Sequence, residues 1–268
     1  MHQIVHEMEA DILRANQKLA DRNTTSLKAN NIICVEFLGA IGSGKTRLIE
    51  QLGDVLKDHG LRVGAVVGDV AGDDDFKRLE SHGIRSVNIN TGKECHLDAH
   101  VVEHALSHLD LQKIDILFIE NVGNLVCPAD FPLGSDKRVV IISVTEGDDM
   151  VRKHPTIFSH ADVIVINKAD LASAMEVDPD ILVQDAKKIN PHAPIVLTDA
   201  RRGTGIPELI SMLGLLPSPE QQTGPESEPE PTPGLDPELH PEPAPDLDLE
   251  LHPEPAPDLD PEPGVDSP

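Results

Sequence analysis

Residues 32–46 read IICVEFLGAIGSGKT, an apolar strand-like run, Ile32–Phe37, passing directly into Gly39-Ala40-Ile41-Gly42-Ser43-Gly44-Lys45-Thr46. The glycine-rich stretch satisfies G-x-x-x-x-G-K-[ST] at every fixed position and lies where such a loop must lie, after a strand and before a helical pattern. Glycines 39, 42 and 44 permit a turn whose N–H groups converge on phosphate oxygens, and the following helix points its positive end at the same charge. Lys45 is expected to reach the β- and γ-phosphates, and Thr46 to offer Mg²⁺ a hard oxygen ligand.

Outward from this loop, short β-branched runs alternate with helical patterns: Val63–Val67, Ile114–Ile119, Val139–Val144, Val163–Ile166 and Ile195–Leu197, with a further strand read near Ser86–Asn90. Continuous apolar runs are strands buried on both faces. The expected fold is therefore α/β: a P-loop NTPase with a doubly wound, mostly parallel sheet and helices on both faces. Ahead of it, Ile4, Met8, Ile12, Ala15 and Leu19 follow the helical period, so Gln3–Ala20 reads as an amphipathic helix that packs on the domain. The organisation is then a helix and linker over 1–30, a nucleotide-binding domain over 31–216, and a tail over 217–268.

Strand Val163–Ile166 leads into Asn167-Lys168-Ala169-Asp170, the N-K-x-D pattern of guanine recognition. A carboxylate at Asp170 accepts from guanine N1–H and the 2-amino group, donors that adenine lacks on that edge, so GTP is the expected substrate. Asp199 and Ala200, in Thr198-Asp199-Ala200, are the candidates for the second base-contacting loop. The strand ending at Ile119 continues into Glu120-Asn121-Val122-Gly123. Here Gly123 offers its N–H to the γ-phosphate, and Glu120 would hold Mg²⁺ or orient the attacking water. Asp69 and Asp75 are candidates for a second switch, Asp69 toward Mg²⁺ and either one toward water.

Thr91-Gly92-Lys93-Glu94-Cys95-His96 and Cys127-Pro128 bring two thiols and an imidazole close to these switches. Such ligands bind Zn²⁺ and Ni²⁺ tightly. Three per chain leave the shell for water, substrate or a second copy to finish. The alternative is that the cysteines are small buried hydrophobes. His100, His104 and His108 follow His96 at intervals of four and form one stripe on a helix, either a second metal surface or a solvated face.

Of the 268 residues 47 are acidic and 22 are Lys or Arg, for a formal charge of −25. Residues 217–268 hold 15 of the acids, no Lys or Arg and 16 of the 23 prolines, with ELHPEPAPDLD at 238–248 recurring at 250–260. That tail cannot offset its ordering entropy by burial and reads as disordered. The acidic balance and the lack of a basic cluster exclude non-specific attraction to nucleic acid or anionic lipid. Apolar runs fall far short of the ~20 residues a membrane-spanning helix needs. Three cysteines cannot all pair within one chain, and no secretory signal opens the sequence, so a reducing cytoplasm is expected.

GAIGSGKT, TGKECHLDAH, ENVGNLVCPADF, TEGDD and NKAD in combination resemble the hydrogenase nickel-incorporation GTPases, HypB, over roughly residues 1–216. The resemblance implies slow GTP hydrolysis, homodimerisation on binding nucleotide, and help in delivering nickel to the large subunit of [NiFe] hydrogenase alongside other maturation proteins. It also implies that Cys95, His96 and Cys127 form a Ni²⁺ or Zn²⁺ site between two subunits. Met1–His6 has neither a Cys-x-x-Cys-Gly-Cys site nor a histidine run, so no N-terminal nickel store is expected. The rival readings are a nickel GTPase serving urease, for which a Cys-Pro-His motif is expected, and a storage or scaffold protein that holds nucleotide only structurally.

Overall fold

A computed structural model describes residues 2–216, without the side chains of residues 2–7 and 9; the proline-rich tail lies outside the described residues. In chain order the elements are α1 (His2–Ala29), β1 (Ile33–Gly39), α2 (Lys45–Asp58), β2 (Val63–Asp69), α3 (Asp74–Ser81), β3 (Arg85–Asn90), α4 (Ala99–Ser107), β4 (Ile116–Glu120) and β5 (Lys137–Ser143). They continue as α5 (Met150–Lys153), α6 (Pro155–Ser159), β6 (Val163–Asn167), α7 (Pro179–Ile189), β7 (Ile195–Leu197) and α8 (Ile206–Leu213).

The seven strands form one sheet in the order β3-β2-β4-β1-β5-β6-β7, with every pairing parallel. β1 is central because the chain winds outward to β3, returns to β4 beside β1, and then proceeds the other way through β5, β6 and β7. This reversal opens a crevice at the carboxyl ends of the central strands, where ligands of such sheets bind. β1, β4 and β6 are buried on both faces apart from Ile33 at the start of β1. Val35, Phe37, Phe118 and Ile141 face α2, α3 and α8, whereas Cys34, Leu117, Val140 and Ile164 face the helices of the opposite layer.

Two expectations need correction. The N-terminal helix extends beyond Ala20 to Ala29, and the stripe through Met8 and Ile12 does not pack, since both are more than half exposed. The face that docks is Asn16, Ala20, Asn23 and Leu27, all buried. Asn16 and Asn23 satisfy backbone groups of Ala99, Pro132 and Leu133, so the helix is fastened by side-chain amides as much as by apolar contact. An apolar-period reading passes over such asparagines. Likewise Ile114 and Asp115 precede β4, because Asp115 turns outward to Arg62.

Candidate nucleotide and metal site

The loop 39–44 closes over the end of β1. Gly44 sits at φ +101°, a left-handed conformation, and a side chain there would overlap Asn167 Nδ2. That amide donates to Ser43 O at 2.8 Å while its oxygen accepts from Thr198 Oγ1 at 2.9 Å and Ala200 N at 3.2 Å. Asn167 thus joins the phosphate loop to the loop after β7. Lys168, also left-handed, donates to Gly42 O at 2.7 Å. A cavity of about 290 Å³ opens between these loops, lined among others by Gly44, Asn167, Lys168, Asp170, Asp199 and Ala200. The carboxylates of Asp170 and Asp199 share the guanidinium of Arg202, at 2.9 and 2.7 Å.

Lys45 is buried and donates to the carbonyls of Gly39 and Ala40 at 3.3 and 3.2 Å. Burial lowers its pKa, and Glu120, Asp75, Glu146 and Asp69 act in the opposite sense. The candidate acids Asp69, Asp75 and Glu120 therefore all lie within electrostatic reach of the lysine. Thr46 Oγ1 donates to Glu120 Oε1 at 2.8 Å, and Glu120 Oε2 is buried with no partner. Burial raises this carboxyl to about 7, assisted by Asp75 and opposed by Lys45 and Thr46. An unpartnered buried carboxylate oxygen beside a threonine hydroxyl fits the hard-oxygen demand of Mg²⁺. Glu146, in the TEGDD stretch, is another acid whose pKa burial raises.

Gly123 packs directly on the phosphate loop: a Cβ there would lie 2.9 Å from both N and Cα of Ile41. One residue on, Asn124 N donates to Gly39 O at 3.0 Å. The Asn124 side chain then reaches both halves of the thiol cluster, donating to Cys95 O at 3.3 Å and accepting from Val126 N at 2.7 Å and Cys127 N at 3.4 Å. Ligand atoms of Cys95, His96 and Cys127 all lie within 4.8 Å of one another. Donors around a tetrahedral ion stand about 3.5–4 Å apart, so a small contraction would close the trio on a metal. Cys95 is exposed and Cys127 half-buried, and the neighbouring Cys127 sulfur raises the Cys95 thiol. Cys34, by contrast, is a core residue of β1.

A buried polar frame carries this cluster. Asn121 accepts from Leu97 N at 2.9 Å and donates to Glu36 at 2.9 Å. Glu36 accepts from Arg138 Nε at 3.0 Å, and that guanidinium also donates to the carbonyls of Pro128, Ala129 and Phe131. Glu36 and Arg138 escaped the sequence reading, although a carboxylate inside the apolar run 32–37 signals a buried partner. The loop bearing Cys95 also hangs on β2: Thr91 N donates to Asp69 O at 2.8 Å and Gly92 N to Val70 O at 2.9 Å. The histidines of α4 lie outside the trio.

A central glycine-rich loop, its buried lysine and the base-sized cavity beside N-K-x-D define a P-loop nucleotide-binding protein. The model of the CobW/HypB/UreG nucleotide-binding domain matches residues 32–197. The probable hydrogenase maturation factor HypB of Methanocaldococcus jannaschii is 51% identical over 80% of this chain and 96% of its own. The crystal structure of that factor from Archaeoglobus fulgidus superposes with TM-score 0.71 at 47% identity, covering 76% of this chain and all of the other. HypB from Helicobacter pylori in complex with nickel does so with TM-score 0.71 at 35% identity, over 75% and 94%. The chain belongs to the HypB hydrogenase maturation factors of the CobW/HypB/UreG family. Among the described residues no helix is long and apolar enough to cross a membrane.

Proposed function

We propose that the chain hydrolyses GTP slowly and uses the nucleotide state to govern when a metal ion, nickel as cargo, is held or released for the large subunit of [NiFe] hydrogenase. The single observation carrying this reading is the placement of Asn124, whose backbone bonds Gly39 of the phosphate loop and whose side chain bonds the backbone of both Cys95 and Cys127. A change at the γ-phosphate that moves Gly123 must move this asparagine with it.

In this reading, loop N–H groups of 39–44 and Lys45 hold the phosphates, with Asn167, Lys168, Asp170, Asp199 and Ala200 around guanine. Arg202 must share or release Asp170 when the base arrives. Thr46, Asp69 and Glu120 would hold Mg²⁺, which when bound neutralises charge developing on the transferred phosphoryl group. Asp75 or Glu120 orients the water. Cys95, His96 and Cys127 take Ni²⁺ or Zn²⁺, and a second copy completes the shell. Ile41, 84% exposed, and Val126, 63% exposed, border this face and support dimerisation across it. The name of the H. pylori nickel complex supports nickel, and the free thiols of Cys95 and Cys127 support a reducing cytoplasm.

The test is Ni²⁺ affinity and oligomeric mass with GDP and with a non-hydrolysable GTP analogue. Differing affinities and a nucleotide-dependent dimer are expected; identical values in both states overturn the coupling. GTP turnover abolished by Lys45→Ala separates this role from a scaffold that holds nucleotide only structurally.

A further inference from the structure

At the far end of α4 from the thiol trio, His104 and His108 bring their Nε2 atoms to 3.4 Å, with rings 4.8 Å apart and almost perpendicular. They line one cavity of about 300 Å³ with His100, Val87, Ile89 and Ala105, between α4 and the sheet-edge strand β3. Two metal–nitrogen bonds of about 2.05 Å whose nitrogens are 3.4 Å apart enclose about 110°, the tetrahedral angle, whereas a right-angled square-planar bite needs about 2.9 Å. The two nitrogens now face each other across a hydrogen bond, and an ion would take the place of the shared proton as both rings turn their lone pairs to it.

The surroundings favour a cation. Both histidines occupy the last turn and C-cap of a nine-residue helix, where unsatisfied carbonyls carry partial negative charge. The helix is anchored at its other end by Asp98, whose carboxylate accepts from the N–H groups of His100 and Val101, both at 2.9 Å. Its opposite face is locked in the core through Val102 and Leu106. The nearby Glu103 is paired to Arg22 and Asp110 to Lys113, so neither acid draws the histidines into an ion pair.

We propose that His104 and His108 form a second divalent-metal site, suited to tetrahedral Zn²⁺, two of whose ligands come from the protein and the rest from water. It is independent of the trio and of nucleotide. Both side chains are exposed, so their replacement leaves the core untouched.

The experiment titrates Zn²⁺ alone into the full nucleotide-free chain and into His104→Ala/His108→Ala, with folding of each checked by circular dichroism. The tail and the trio are common to both, so their zinc cancels in the comparison. The wild-type chain is expected to bind one equivalent more per protomer, and the Hε1 resonances of His104 and His108 to shift with that equivalent. His100→Ala is expected to retain it. Equal stoichiometry in the wild type and double variant, unmoved resonances of the pair, or loss of the equivalent in His100→Ala would each overturn the assignment.

Discussion

Glu36→Gln is the substitution whose cost the structure fixes most closely. The carboxylate is fully buried, and Arg138, its partner, is only 15% exposed. Oε1 accepts from Asn121 at 2.9 Å, and Oε2 from Arg138 at 3.0 Å and Ser135 at 3.4 Å. A glutamine has one oxygen for these donors and must turn its NH₂ toward either Arg138 or Asn121. The guanidinium then stays buried without its countercharge, which costs about 3–5 kcal/mol. That is a large part of the ~5–15 kcal/mol that holds a typical domain folded. Arg138→Met removes the stranded charge, so it should cost less in the Glu36→Gln background than alone.

Urea unfolding followed by far-ultraviolet circular dichroism measures both effects, since the chain has no Trp or Tyr for a fluorescence probe. The double variant should be more stable than the sum of the single losses predicts, by more than the ~0.5 kcal/mol within which independent sites add. Metal binding gives a second readout: the same frame holds Leu97 N beside His96 and the carbonyls of 128, 129 and 131 beyond Cys127. Glu36→Gln should therefore weaken Co²⁺ binding at the trio even under conditions where the protein is folded. A loss below about 1 kcal/mol, with additive singles and unchanged Co²⁺ affinity, would refute the account of a charged frame.

Three further outcomes follow from separate contacts. Gly123→Ala drives a methyl against Ile41 of the phosphate loop; relieving an overpacking cost of about 1–3 kcal/mol means displacing that loop from its present conformation, which should weaken GTP-analogue binding by up to roughly 150-fold in equilibrium fluorescence with a labelled nucleotide. Hydrogen bonding to Arg62 holds the Asp115 carboxyl down at about 2, so its stabilising effect is full above the ordinary carboxylate range and disappears as pH falls toward 2. Asp115→Asn should cost under about 1 kcal/mol near neutrality, because the pair is exposed, and that difference in urea midpoints should vanish in acid. Asn124→Ala should leave Ni²⁺ and nucleotide each able to bind while shrinking the change in Ni²⁺ affinity between nucleotide states; an undiminished change would acquit this residue.

The fold was legible because its strands are continuous apolar runs and its loop has fixed spacing. The strands stand within two residues of where the sequence puts them, and the parallel sheet follows from the burial of the inner strands on both faces, the edge strands β3 and β7 being only part-buried. The thiol trio was legible as residue types, and the structure adds that Cys95 and Cys127, 32 positions apart, approach because the loop after β3 crosses the end of β2, which pairs with β4. What sequence patterning passes over is polar burial. Asn16 and Asn23 interrupt the apolar period of α1 yet are the residues that fasten it. Glu36, Asn121 and Arg138 come from three strands or strand ends, and only the register between β1, β4 and β5 makes them one network.

The two halves of the candidate site are tied by several short connections of different chemistry, and this bears on how they would influence each other. Asn124 bonds the phosphate loop to both cysteine segments, and Asp69 and Val70 carry the backbone of Thr91 and Gly92. Neither tie involves a metal ligand's own side chain. A shift at the phosphate loop would therefore alter the spacing of Cys95, His96 and Cys127 without removing a ligand, the type of change that tunes affinity rather than abolishing it. Couplings of this kind typically amount to about 1–3 kcal/mol, a 5- to 150-fold change, and are reciprocal. Whatever factor separates Ni²⁺ affinity in the two nucleotide states must equally be the factor by which saturating Ni²⁺ changes the ratio of GTP-analogue to GDP affinity. If neither the Ni²⁺ affinity nor the nucleotide affinity ratio moves, the two sites are not linked through the protein, however near their residues stand.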